Sequence, residues 1–216
     1  RDRFDKEFEL VDTGIFNENK YFDISVEYAK ADTEDILVKI NVINRADEPA
    51  NVSLLPTLFF RNTWSWPEAS SRPKLEFQDN KIRSFHPKSG EMFLYFEAPQ
   101  ECLFTENETN FKKLYNVENM SKYTKDGIND YVVNDKKDAV NPENKGTKSS
   151  LHYVLNLKPK EEKVIKLRLS KNSNEKDALG KNFDIIFEQR KKEADEFYNK
   201  LTPFPISDEM RNVQRQ

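Results

Sequence analysis

Cysteine, histidine and glycine are all scarce in this chain of 216 residues. Its single cysteine, Cys102, allows neither an intrachain disulfide nor a thiolate metal cage, which favours a reducing, cytoplasmic location. His86 and His152 each lie in a strand pattern without a second ligand at metal spacing. The five glycines include no phosphate-binding loop. We therefore expect two structural histidines, no metal site and no cofactor.

Long apolar runs and an excess of one charge are missing as well. No segment approaches the roughly 20 apolar residues of a membrane span. Lys and Arg total 35 against 38 Asp and Glu, and the two signs are interspersed along the chain. Without a basic stripe, the chain has no electrostatic footprint for nucleic acid. Neither a membrane nor nucleic acid is an expected partner.

Aromatic residues, in contrast, are abundant. A charged fraction of 34% and a mean hydropathy of -0.88 would by themselves suggest disorder. The chain also carries 16 Phe, 8 Tyr and 2 Trp, which supply apolar surface that disordered chains lack. We expect a folded domain with a polar exterior.

Strand patterns dominate the chain up to residue 170. Residues 21–30 and 35–44 alternate apolar and polar side chains, and they should pair as antiparallel neighbours. Residues 151–157 and 165–169 alternate in the same way around the turn LKPKEEK, which predicts a hairpin. This pattern predicts a mainly-β fold, an antiparallel β-sandwich. Further short strands are predicted at 52–60, 74–78, 81–86, 92–97 and 102–105.

The segment 116–148 is polar and lacks periodicity. Its asparagines, glycines and one Asn-Pro step favour defined turns over a flexible tether. A loop of this length in a compact domain is either functional or disordered. We expect this segment, which we call the excursion, to be ordered.

Helical periodicity begins after Gly180. An amphipathic packing helix is predicted at about 182–201, and Ser207 is a good N-cap for a second helix. The sequence stops at Gln216 within that second helix. The resulting expectation is a sandwich domain over residues 1–203, with 204–216 as the linker and first helix of a further helical domain.

The segment LLPTLFFRNTWSW is the strongest functional signal in the sequence. A predicted buried strand leads directly into Arg61, Asn62, Trp64 and Trp66. Aromatic faces beside planar hydrogen-bonding groups bind sugars and partner proteins. Interdomain packing, sugar contact and a plain core role are the three interpretations of the tryptophans.

A second polar segment, ENETN, follows the predicted strand 102–105. It contains Glu106, Asn107, Glu108 and Asn110. Paired carboxylates catalyse glycoside hydrolysis, but the two acids must flank the scissile bond from opposite sides of the substrate. Two glutamates only two positions apart favour loop capping or interface hydrogen bonding over acid-base chemistry.

These segments together resemble a known family. DTGIF, YFDISVEYAKA, ILVKINVINR, LLPTLFFRNTWSW, LFTENETN, GINDYVVN, DAVNP, GTKS and FDIIFEQRKKEADEFY, with VQRQ at the end, are similar in consistent order to the N-terminal domain of bacterial and fungal proteins related to glycoside hydrolase family 63, the mannosyl-oligosaccharide glucosidase-like group. The resemblance implies an N-terminal super-sandwich followed by an (α/α)6 barrel. It further implies an inverting reaction whose two catalytic carboxylates lie on the barrel, so it assigns no catalytic residue to this chain.

The resemblance also implies partners for the polar loops. The expected partner is the C-terminal (α/α)6 domain of the same polypeptide, with an oligosaccharide or glycoside at the domain interface. An autonomous carbohydrate-binding module using Trp64 or Trp66 is the alternative, and an autonomous enzyme using Glu106 and Glu108 is a third hypothesis. The candidate substrate-rim or interdomain residues are Arg61, Asn62, Trp64, Trp66, Glu106, Asn107, Glu108, Asn110, Asn129, Asp130 and Asn141.

Overall fold

The structure is a computed structural model that describes residues 2–4, 6–66, 71–202 and 204–216. It is a mainly-β fold, as the sequence predicts. Its strands are β1 (Phe22–Asp32), β2 (Asp35–Asn44), β3 (Ala50–Leu54), β4 (Thr57–Phe59), β5 (Lys74–Gln78), β6 (Lys81–His86), β7 (Gly90–Phe96), β8 (Glu101–Thr105), β9 (Lys145–Gly146), β10 (Lys148–Leu157) and β11 (Glu162–Ser170). Its helices are α1 (Phe111–Tyr115), α2 (Gly127–Asn134), α3 (Lys181–Leu201) and α4 (Asp208–Arg215), with 3-10 turns at Leu10–Thr13 and Lys137–Ala139.

Two antiparallel sheets form the sandwich. The larger sheet has seven strands in the order β1-β2-β11-β7-β6-β5-β9. In the smaller sheet, β10 is central and pairs with β8 on one side and with β3 and β4 on the other. The predicted pairing of the first two long strands is confirmed, since Val26 lies opposite Ile40.

The core lies between the two sheets. Ile40 and Ile82 of the larger sheet pack in one buried cluster with Phe104 and Leu151 of the smaller sheet. Phe104, Ile82 and Leu151 are fully enclosed. Apolar side chains at alternate positions of each strand supply this layer, because the pleat turns every second residue inward.

Two details of the strand prediction are wrong. The predicted strand 52–60 is divided into β3 and β4 by Leu55 and Pro56, since proline has no amide hydrogen for the ladder. The predicted hairpin of 151–157 with 165–169 does not form, because β10 belongs to the smaller sheet and β11 to the larger one. Both strands face the same core from opposite layers, so alternation alone could not distinguish an arch from a hairpin.

The long helix covers the outer face of the larger sheet. The predicted amphipathic helix 182–201 is confirmed as α3. Its Phe183 and Phe187, each 2% exposed, pack against Ala29 of β1 and Leu37 of β2. The Ser207 side chain caps α4 by accepting a hydrogen bond from the Met210 amide at 3.2 Å. No helix in the described ranges is long and apolar enough to cross a membrane.

The segment 116–148 is ordered, as expected. It contains α2, a 3-10 turn, β9 and the first residue of β10. Ile128, Tyr131 and Val140 of this segment pack with Leu103 of β8 in a separate buried cluster. The excursion therefore has its own small core against the edge of the smaller sheet.

Candidate functional site

Three strand ends of the smaller sheet meet at one end of the sandwich. Phe59 at the end of β4 and Thr105 at the end of β8 both lie opposite Lys148, the first residue of β10. The loops that continue from β4 and β8 consequently leave the sheet side by side. This register brings the RNTWSW and ENETN loops together, although 44 positions separate Trp64 from Glu108.

The centre of this end is a set of hydrogen-bonded side chains that we call the Arg72 cluster: Trp64, Arg72, Glu106, Glu108 and Thr147. The Arg72 guanidinium lies 2.6 Å from Glu106 Oε2 and 3.0 Å from Glu108 Oε1. Trp64 Nε1 donates to Glu108 Oε1 at 3.1 Å, and the Thr147 hydroxyl donates to Glu106 Oε2 at 2.6 Å. One arginine thus bridges both carboxylates of ENETN.

The pairing with Arg72 determines what the two glutamates can do chemically. Glu108 is 9% exposed, and its Oε1 atom already accepts from Trp64 and Arg72. A general acid must reach the atom that it protonates, whereas these carboxylate oxygens are engaged by protein donors. Within the described residues, no group of three or more His, Cys, Asp or Glu side chains is arranged to hold a metal ion. This arrangement suits structural support better than proton transfer.

Asn107 joins the loop after β4 to the loop after β8. Its Nδ2 donates to the Phe60 carbonyl at 2.8 Å, and its backbone N–H donates to Thr147 Oγ1 at 2.8 Å. The Phe60 amide in turn donates to the Thr147 carbonyl at 3.3 Å. The base of the RNTWSW loop is therefore fixed from both neighbouring chain segments.

The two tryptophans have different environments. Trp64 is partly buried, donates its indole N–H to Glu108 and lies 5.6 Å from the Arg72 guanidinium. Trp66 is 50% exposed, with the Arg61 guanidinium 5.1 Å from its ring centroid. The Asn62 side chain accepts a hydrogen bond from the Ser65 amide at 3.3 Å and so closes the turn between them. Trp66 and Arg61 form the exposed part of the loop.

Asn110 connects ENETN to the excursion. Its side chain accepts from the Lys113 amide at 3.0 Å, which caps α1, and its Nδ2 donates to Asp126 at 3.1 Å. Burial acts to raise the pKa of Asp126, but hydrogen bonds from Thr124, Asn110 and Lys113 outweigh it and lower that pKa. The Lys125 amide donates to the Glu108 carbonyl at 2.9 Å. These contacts fix the excursion against the Arg72 cluster.

The three remaining candidates lie further out on the excursion. Asn129 is exposed on α2. The Asp130 carboxylate accepts hydrogen bonds from Lys136 and Asn134, both within the excursion. These bonds lower the pKa of Asp130. Asn141 closes its own turn, donating to the Lys145 carbonyl at 2.8 Å. The structure thus unites Trp64, Glu106, Asn107 and Glu108 directly and joins Asn110 through Asp126, whereas Asn129 is exposed and Asp130 and Asn141 make contacts within the excursion.

Sequence reasoning missed two residues that hold the site together. Arg72 follows the segment 67–70, which lies outside the described residues, and Thr147 precedes β10. Arg72 stands in no quoted motif, and Thr147 lies in GTKS, to which the sequence assigned no role. Thr147 is 1% exposed, and its place in GTKS was the available signal for it.

A second group of polar side chains, Glu101, Tyr131 and His152, lies beside a cleft of about 500 Å³. Of these three, the sequence assigned a role only to His152. Glu101 accepts a hydrogen bond from the Tyr131 hydroxyl at 2.5 Å, which lowers the pKa of that carboxyl. His152 lies 3.4 Å from Glu101 and 3.2 Å from the Ser53 hydroxyl. These bonds fasten the excursion to the smaller sheet, and they satisfy His152 as a structural histidine.

Comparison with known proteins gives one informative similarity. No protein-family model matches the chain. The chain is 36% identical, over 257 aligned residues, to the uncharacterized protein YMR196W of Saccharomyces cerevisiae. The similarity covers 98% of this chain and 24% of the yeast protein, so the chain spans about a quarter of the length of that relative.

Proposed function

We propose that this chain is the non-catalytic β-sandwich domain of an inverting glycoside hydrolase related to family 63. In this proposal the RNTWSW, ENETN and excursion loops pack against a helical (α/α)6 barrel of the same polypeptide and shape the rim of its active site. The sequence resemblance supplies the family. The similarity covers only 24% of the yeast relative, which leaves room for a large second domain.

One observation carries the proposal: an exposed Arg–Trp pair stands on a loop whose base is locked. Trp66 and Arg61 are exposed, whereas Trp64 is partly buried and bonded to Glu108. Tryptophan and arginine are the side chains most enriched at the energetic centres of interfaces. A loop fixed before binding loses little conformational entropy when its partner docks.

The Arg72 cluster supports a positioning role for the two glutamates. Arg72 pairs with both carboxylates, and Glu108 is enclosed. A catalytic acid needs access to the leaving oxygen of the substrate. The proposal therefore assigns the acid and base to the barrel and the shaping of the rim to this domain.

The test uses the full-length protein and an exposed aromatic residue as matched control. Trp66→Ala should lower kcat/KM for the hydrolysed glycoside by about 10- to 100-fold, because misplacing a rim by an ångström has effects of this size. Phe85→Ala removes a side chain of similar exposure, 45% against 50%, from the larger sheet and should leave kcat/KM unchanged. Melting temperatures should match the parent in both variants.

Suitable substrates are α-glucosides and mannosyl or glucosyl glycerate-type compounds. Failure of the full-length protein to hydrolyse any of them would remove the proposed enzyme class. Equal activity of Trp66→Ala and parent would remove the rim role and leave the class intact.

An autonomous carbohydrate-binding module remains the second candidate, and the half-exposed ring of Trp66 favours it. Trp64 suits stacking less well, because Arg72 lies against its ring and Glu108 holds its indole nitrogen. Calorimetric titration with glucosyl and mannosyl oligosaccharides decides the matter. Heat that disappears in Trp66→Ala would support the module, and no heat at millimolar sugar would exclude it.

A cytoplasmic location is part of the same proposal. The lone cysteine, Cys102, is a free thiol, and disulfide-free chains are typical of reducing compartments. Imaging of the tagged full-length protein tests this assignment.

A further inference from the structure

The inner face of β1 is apolar and uncovered. Ile24, Val26 and Tyr28 point towards the core side of the larger sheet, yet they are 49%, 46% and 72% exposed. The sequence predicts a half-buried strand here, with this face buried. The smaller sheet ends at β3 and β4 and does not extend over β1, so the expected cover is missing within the described residues.

A groove runs between the two sheets along this edge. It has a volume of about 410 Å³, and we call it the β1 groove. Apart from Thr57 and the Tyr28 hydroxyl, the lining that the structure describes is apolar. Ile40, Leu94 and Leu167 of its floor belong to the main buried core. The groove is thus an opening into the sandwich interior. It is a continuous apolar surface, unlike the single exposed apolar side chains that are normal on protein surfaces.

The other face of the same strand is covered. Ala29 is 3% exposed beneath α3, and Glu27 pairs with Lys191 of that helix at 2.9 Å. β1 therefore has one face packed like a central strand and one face open. In the described part of the chain it pairs with β2 alone, which leaves the hydrogen-bonding groups of its outer edge without a strand.

We propose that a further β-strand of the same polypeptide, outside these 216 residues, pairs with the free edge of β1 and fills the β1 groove with apolar side chains. A strand satisfies both requirements of this edge at once, because it supplies backbone partners and alternate inward side chains. A docked helix would cover the apolar face but would leave the edge amides and carbonyls of β1 unpaired.

Two observations favour the same polypeptide over a separate partner. The similarity covers 24% of the yeast relative, so most of that protein lies outside the aligned region. The groove also opens directly onto core residues, and interfaces that resemble a domain core cut in half are permanent ones. The Arg72 cluster takes no part in the β1 groove, so this inference does not rest on the proposed function.

The experiment measures thiol accessibility in the full-length protein. Val26→Cys places a thiol in the β1 groove, and Ser25→Cys places one on the opposite face of the same strand, where Ser25 is exposed. We expect maleimide to label Val26→Cys about 100-fold more slowly than Ser25→Cys, since labelling requires the added strand to open locally. In urea the two rates should converge, as read by peptide mass spectrometry.

Hydrogen exchange of the parent protein provides the second measurement. Amides throughout β1 should be protected to the same degree as those of β2. Equal labelling of the two variants would overturn the proposal. So would slow labelling of Val26→Cys accompanied by fast exchange of alternate β1 amides, because that combination indicates a cover that is not a strand.

The remaining alternative is that a second copy of the protein, and not a strand of the same polypeptide, occupies the β1 groove. Protection of Val26→Cys that is lost on dilution, together with dissociation of a dimer in sedimentation, would also overturn the proposal. Protection that is independent of concentration supports it.

Discussion

Glu108 is a carboxylate that the fold buries beside Arg72. Its side chain is 11% exposed, and its Oε1 accepts bonds from an indole and a guanidinium. Removing one member of such a group costs more than the net value of the bond, because its former partners are left unsatisfied. The contribution of Glu108 to stability is therefore best measured by replacing it with alanine and comparing the effect with that of the same replacement at an exposed glutamate.

We expect Glu108→Ala to lower the free energy of unfolding by about 2 kcal/mol, the usual penalty for unpaired buried polar groups. Glu118, which pairs with Lys112 and is 85% exposed, is the matched control. Glu118→Ala should change stability by less than about 0.5 kcal/mol. Urea denaturation followed by tryptophan fluorescence measures both, and equal effects would contradict the role of the Arg72 cluster.

Cys102 should be a slow thiol in the native protein. Burial raises its pKa to about 11, so very little thiolate exists at pH 7.5. We expect its reaction with a disulfide reagent to be slow in buffer and to accelerate by at least about 100-fold in denaturant, where the pKa returns to about 8.5. A fast native reaction would show that β8 opens readily.

At the residue scale, the sequence indicated which polar and aromatic residues are candidates for the site, but it did not indicate which residues contact them. The ENETN segment and the two tryptophans stand out because polar and aromatic residues concentrate locally. Arg72 and Thr147 do not, because they join the site only through the pairing of β8 and β10. Contacts across a sheet depend on register, and register is a tertiary property that a local pattern does not encode.

At the scale of elements, α3 is held to the larger sheet by two phenylalanines. Phe183 and Phe187 are buried under the helix, and Lys166 and Lys39 lie over their rings at 4.9 and 4.5 Å. We expect Phe183→Ala to lower the free energy of unfolding by about 3–5 kcal/mol, as for other buried phenylalanines. Ile185→Ala, on the same helix but 61% exposed, should change it by less than about 0.5 kcal/mol. Thermal denaturation monitored by circular dichroism tests the pair.

Asp184 of α3 pairs with Lys39 and Lys166 of the larger sheet, and this contact depends on pH. Hydrogen bonds from Lys166 and Lys39 lower its pKa. A carboxyl whose pKa is lowered by folding contributes stability above its unfolded pKa and loses it as the pH falls through the folded pKa. We therefore expect Asp184→Asn to be less stable than the parent at pH 7 and to match it in acid, once the pH has fallen below the lowered pKa of Asp184.

The control for this prediction is a second acid on the same helix. Glu188 is 74% exposed and lies 3.9 Å from Lys191. Glu188→Gln should show no comparable gap at either pH. A gap for Asp184→Asn that persists in acid would point to packing instead of charge.

The elements themselves were largely predictable, and their partners less so. The bounds of β2, β5 and β6 coincide with the predicted ranges, because alternation and turn residues are local signals. The arch between β10 and β11 was predicted as a hairpin. Lys160 in the turn takes a left-handed φ of 60°, and the Asn44 amide donates to the Glu161 carbonyl at 3.0 Å. Those contacts depend on a strand more than a hundred residues earlier.

At the scale of the whole molecule, Asn44 couples the two sheets. It ends β2 of the larger sheet and is 1% exposed. Its Nδ2 lies 3.2 Å from the Leu157 carbonyl at the end of β10 and 3.1 Å from the Lys158 carbonyl. Its Oδ1 accepts from the Ala46 amide at 3.0 Å. One amide side chain thus fastens both layers where the arch crosses between them.

This coupling predicts that the sandwich unfolds as one unit and that Asn44 sets its midpoint. Asn44→Ala should lower the free energy of unfolding by about 3 kcal/mol, since several buried backbone groups lose their partner. Asn156, exposed on β10, is the control, and Asn156→Ala should have an effect below about 0.5 kcal/mol. Tryptophan fluorescence reports the end of the smaller sheet, and far-ultraviolet circular dichroism reports both sheets. The two probes should give coincident urea transitions in parent and variant, whereas separated transitions in Asn44→Ala would mean that the layers unfold independently.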